Sequence, residues 1–135
     1  MAYNIQHKYL ENEIFQADPV KLVRILYRGA IDAVDAARVH LRNGAIRERS
    51  RQITKALEIL HELLRSLDHN RGGTISRSLA DLYVYMTKRL IEANCKQIDP
   101  PLAEVSQLLA TLLEAWTSVP AATVPEAREA AGCPV

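Results

Sequence analysis

The chain has 135 residues, a length that suits one domain and one core of ordinary stability. With 17 Lys and Arg against 16 Asp and Glu the net charge is +1, which excludes the bulk electrostatic attraction used by nucleic-acid and membrane-surface binders. Cys95 and Cys133 are far apart and read as free thiols of a reducing compartment rather than a disulfide framework.

Residues 1–17 hold Tyr3, Ile5, Tyr9, Leu10, Ile14 and Phe15 at the spacing of a weakly amphipathic helix. They lack the basic start and unbroken apolar run of a signal peptide. No apolar stretch reaches the length of a membrane span. A soluble cytoplasmic protein is the expectation.

Four long segments with helical periodicity follow, and none alternates as a strand does. The first opens at Asp18-Pro19, Asp as N-cap and Pro at the first helical position, where its missing N–H costs nothing. Its stripe runs Val23, Leu26, Tyr27, Ala30, Val34, Ala37, Leu41, and Asn43-Gly44 ends it. The second, from about Ala45 to Leu67, repeats Ile46, Ile53, Leu57, Leu60, Leu64 and Leu67 almost as a heptad. The third, from about Thr74 to Lys96, carries Ile75, Leu79, Leu82, Met86, Leu90 and Ala93, with Gly73 or Thr74 expected to cap it. The fourth begins near Pro101 and carries Leu102, Val105, Leu109, Leu112 and Trp116. Short connections make neighbouring helices antiparallel. The predicted fold is all-α: an antiparallel up-down four-helix bundle over residues 18–118, an N-terminal covering segment, and a Pro/Ala-rich tail over 119–135.

Leu22, Ile25, Ile31, Ile59, Leu63, Tyr83, Ile91, Leu108 and Leu113 fall beyond the single stripes. A bundle of this size buries about three-sevenths of each helix. The surplus calls for an extra segment or a partner to cover it.

The search for chemistry gives little. "RGGTIS", residues 71–76, follows a helix rather than a strand and has no Lys after it, so the double glycine is a helix-helix hinge, not a phosphate loop. Glu58 and His61 share the Glu-x-x-His spacing of di-iron bundles, but no second pair exists. No catalytic residue, metal site or cofactor is predicted. His40 in "HLRNG" loosely resembles the phosphorylated histidine of a phosphotransfer bundle, although Gly44 ends the helix too soon; a signalling bundle using His40 or His61 is the alternative function. "RNGAIRERSRQITK" is read as a solvated basic face, or else as a contact for an acidic partner.

"DPVKLVRILYRGAIDAVDAA", "LLRSLDHNRGGTISRSLADLYVYMTKRLIEAN" and "LLEAW" together resemble the flagellin-specific secretion chaperone family, FliS, over about residues 3–117. Arg28 departs from the family pattern, which has Asp after the Leu-Tyr. The resemblance implies a non-enzymatic cytoplasmic export chaperone, a monomer or weak dimer. It would mask the disordered C-terminal segment of flagellin and deliver it to the flagellar export gate, with no nucleic acid or membrane insertion. The flagellin contacts expected on this basis are Ile5 and Tyr9 in the cover, Tyr27 and Ile31 on the first helix, Leu67 near the hinge, and Leu82, Tyr83, Arg89 and Asn94 on the third.

Overall fold

The computed structural model describes residues 19–118; the N-terminal and C-terminal segments, including the Asp18 cap, lie outside the described residues. The four helices are α1 (Pro19–Arg42), α2 (Ile46–Arg65), α3 (His69–Lys96) and α4 (Pro100–Thr117). No strand occurs among the described residues. In the bundle α1 packs on α2 and α4, and α3 packs on α2 and α4, while across the diagonals the backbones stay apart and only long side chains meet.

The α1–α2 seam is the most extensive, and α1 carries several small side chains and a glycine. Ala30, Ala33 and Ala37 are buried, and a Cβ added at Gly29 would sit 3.2 Å from Cδ1 of Ile59. The larger side chains that fill the core include Ile53, Leu60 and Leu63 from α2, Met86 and Leu90 from α3, and Leu102, Val105 and Leu109 from α4. Burying each such side chain contributes about 1.5–3 kcal/mol.

The turns follow the chain chemistry. Gly44 takes a positive φ of 72°, and the N–H of Ala45 reaches back to the carbonyl of His40, closing α1 as predicted. At the end of α3 a non-glycine residue, Gln97, takes the left-handed conformation (φ 57°).

Two details depart from the sequence reading. The chain reverses at Ser66–Asp68, before the double glycine, and α3 starts five residues earlier than Thr74. Asp68 caps it, its carboxylate accepting from the N–H groups of Asn70 and Arg71. Gly73 then kinks the helix at φ 55°, ψ −128°, a conformation that is almost glycine-only. His69 Nδ1 meets Ser76 Oγ across the kink at 2.9 Å. Asp99 does not cap α4 with its side chain; that carboxylate instead takes a bidentate pair from Arg38 at 2.8 and 3.0 Å. Ile46 and Ile75, both placed on core stripes, are 57% and 53% exposed: Ile46 is the first residue of α2, and after the kink at Gly73 it is Ser76, not Ile75, that is buried.

Candidate functional site: a polar-aromatic hub and a belt of half-buried side chains

Tyr27 from α1, Tyr83 from α3 and Trp116 from α4 converge inside the bundle. The hydroxyls of Tyr27 and Tyr83 lie 2.6 Å apart and the rings meet edge-on, centroids 6.5 Å apart. The indole N–H of Trp116 donates to Tyr27 at 3.3 Å, and Arg24 donates to the Trp116 carbonyl. Burial pushes both phenols above their ordinary range, Tyr83 further than Tyr27, so both stay neutral at any working pH.

A second cluster joins α2 to α3. Arg49, only 4% exposed, donates from Nε to the side-chain oxygen of Asn94 at 3.0 Å, with longer contacts to Gln97 and the Asn94 carbonyl. Ser50 donates to the same Asn94 oxygen. Arg49 therefore leaves the solvated basic face assigned to "RNGAIRERSRQITK". The available signal was its place one turn before Ile53 on the α2 core row.

The third cluster joins α3 to α4. Arg89 bridges Glu104 at 2.6 Å and Glu92 at 2.7 Å; Tyr85 also donates to Glu104 and Lys96 to Glu92. Hydrogen bonds from Tyr85 and Arg89 hold the Glu104 carboxyl below its usual range, and those from Arg89 and Lys96 do the same for Glu92. The bond to Glu104 raises the Tyr85 phenol.

The expected contact residues fall into separate groups. Tyr27 and Tyr83 are buried in the hub, Tyr83 at 2% exposure despite lying off the predicted stripe. Ile31, Leu67 and Leu82 are half-buried and pack against the edge of the core. Arg89 and Asn94 belong to the α3–α4 and α2–α3 clusters respectively. Ile5 and Tyr9 lie outside the described residues. Of the apolar surplus, Ile59 and Leu63 are core, whereas Leu22, Ile31, Leu108 and Leu113 form part of a half-buried belt with Leu79, Leu82 and Leu112. Glu58 and His61 are exposed, and no three potential metal ligands come together among the described residues. No described helix is long and apolar enough to cross a membrane.

An antiparallel four-helix bundle that uses its buried polar groups to join helices and surrounds its core with half-buried aliphatic side chains is a helical scaffold. Comparison with known proteins narrows the class. The chain belongs to the family of the flagellar protein FliS, whose sequence profile matches residues 1–123. It is 34% identical to the flagellar secretion chaperone FliS of Salmonella typhimurium over 121 residues, covering 88% of this chain and 90% of that one. It is 33% identical to FliSB of Pseudomonas aeruginosa over 114 residues (84% and 90%), and 32% identical to FliS of Bacillus subtilis over 108 residues (80% of each).

Proposed function

We propose that this protein is a cytoplasmic export chaperone that binds the disordered C-terminal segment of flagellin, keeps it from polymerising, and hands it to the flagellar export gate. The observation that carries the reading is the family match across residues 1–123. The belt supplies the physical means. A flagellin end that assembles by pairing helices has apolar faces, and a bundle edge of half-buried aliphatic side chains is a seat for such faces.

Two stretches of the belt serve as walls. Ile31 lies seven residues after Arg24 and four before Asp35, and these flanking residues bond to Trp116 and Ser106 of α4. Ile31 thus belongs to the α4 side of α1. Leu82 lies seven residues before Arg89, whose bond to Glu104 marks the α4 side of α3. Leu67 extends the seat at the α2–α3 turn, and Ile5 and Tyr9 would cover it. Tyr27 and Tyr83 act from below, fixing the spacing of α1, α3 and α4, while Arg89 presents a polar edge on the α4 side; Asn94, held by Arg49 and Ser50, would contribute by keeping α3 against α2 rather than by touching the client. The protein works by binding alone and has no catalytic residue in this scheme.

Calorimetry of the full chain against a peptide from the C-terminal end of flagellin tests the proposal. The expected result is a one-to-one complex with a strongly negative heat-capacity change, the mark of a chain that folds onto apolar surface. Leu82→Asp and Ile31→Asp should weaken it by about tenfold or more each, since a charge placed in a desolvated seat is costly. No binding by the unaltered protein would sink the reading.

A further inference from the structure

A second surface lies where α2 and α3 run side by side. Ser50 of α2 touches Asn94 of α3, which fixes the faces that meet. One step outward on α2 lie Arg47 and Arg51, three before and one after Ser50, and they line a shallow depression together with Thr54 and Lys55. On α3, Ile91 is one turn before Asn94 and Val84 is two turns before Ile91; they are 48% and 41% exposed, while Arg89 and Tyr85 point the other way, to α4. Lys88 lies between Val84 and Ile91 on the solvent side. Arg47, Arg51 and Lys88 make none of the ion pairs found among the described residues. The depression holds a single carboxylate, Glu58.

We propose that the outer face where α2 adjoins α3, formed by this α2 depression and the exposed Val84 and Ile91 of α3, docks an acidic amphipathic helix of a partner protein other than the exported client. The charge pattern selects the occupant. Aliphatic side chains bracketed by cations on both rims match a helix with an apolar seam and carboxylates on its flanks. The spacing agrees: Val84 and Ile91 are about 10.5 Å apart along α3, the reach of an i, i+7 pair on the facing helix. The overall charge of +1 makes the cluster local, so the attraction is for one surface rather than for polyanions in general. Glu58, at the Val84 end, disfavours a carboxylate there and sets the direction in which the helix lies.

The probe is a synthetic amphipathic helix with a leucine seam and glutamate flanks, titrated into the full chain beside a counterpart with lysine at every glutamate. The glutamate peptide should bind at least about tenfold tighter and lose its advantage as salt is raised. Arg47→Glu with Arg51→Glu should remove about tenfold or more of that affinity; both residues are exposed, and an unchanged melting curve would confirm the fold. Val84→Ser with Ile91→Ser should weaken binding separately, and amide resonances of Thr54 and Ile91 should shift on titration. Protein already loaded with a flagellin C-terminal peptide should still bind the probe. Equal affinity for the two peptides, indifference to either double substitution, equally tight binding of a short DNA duplex, or displacement by the flagellin peptide would each overturn the proposal.

Discussion

The hydroxyls of Tyr27 and Tyr83 are not equivalent, because Tyr27 also accepts from the Trp116 indole. Tyr83→Phe removes one bond and should cost about 1 kcal/mol in urea unfolding. Tyr27→Phe leaves both the indole N–H and the Tyr83 hydroxyl without a partner and should cost about 2 kcal/mol. The double variant should cost less than the sum, since the lost bond is shared. Arg49 makes a second test of this kind. Arg49→Ala removes a guanidinium that holds Asn94 and Gln97, and should lower stability by about 2 kcal/mol; Arg49→Lys should recover only part, because an ammonium cannot reproduce the planar fork. Glu104 titrates below its ordinary value, so it binds fewer protons in the folded chain than in the unfolded one around that pH. Its contribution is present above the unfolded carboxylate range and is lost as pH falls through the lowered folded value. Thermal unfolding of Glu104→Gln should therefore show a lower Tm than the parent at pH 7, with the gap closing under acid conditions.

Among the elements, α3 is the one that departs most from a plain cylinder. A Cβ at Gly73 would meet nothing within 4 Å, so the demand there is on the backbone alone. Gly73→Ala should cost about 1–3 kcal/mol from strain, and Gly44→Ala, in the milder left-handed region, about 1 kcal/mol; paired chemical denaturation curves would rank them. Gly29 differs, since space decides there: Gly29→Leu would drive α1 away from Ile59 and lower Tm. Helix number, type and order were legible in the periodicity, as were the Gly44 stop and most of the core. The start of α3 was not, because Asp68 caps a single turn ahead of the glycines and one turn carries no period to detect. Tyr83 shows the other limit: placed off the stripe, it is buried because its hydroxyl has a partner on α1, 56 positions away. Arg49 was hidden for a similar reason. A basic residue on a core row looks like surface until the amides that receive it are known.

At the scale of the whole molecule, the belt sets what can be predicted of binding. Client capture through aliphatic edges should survive high salt, whereas docking on the basic outer face of α2 and α3 should weaken sharply with it, so one salt series should separate the two surfaces. Acid should also act on the molecule unevenly, since Glu92 and Glu104, the carboxyls held below their usual range, both lie on the α3–α4 seam.

The ring-like packing has a consequence for how the chain acquires its structure. Backbone contact is confined to neighbouring helices, and the Tyr27–Tyr83 pair is the described link across the α1–α3 diagonal, so each helix depends chiefly on its two neighbours. The three turns, residues 43–45, 66–68 and 97–99, are equally short, so loop closure is cheap for every consecutive pair. The α1–α2 pair is set apart by having the most extensive seam. The α1–α2 hairpin should form first and be the last part to open, with α3 and α4 condensing on it afterwards. Native-state hydrogen exchange would register this as slow amides at Ala33, Ala37, Ala56 and Leu60, and earlier exchange along α4. A hairpin that persists while the opposite pair loosens would give the protein a fixed half and a yielding half, so a client strand could be accepted or released without unfolding the whole.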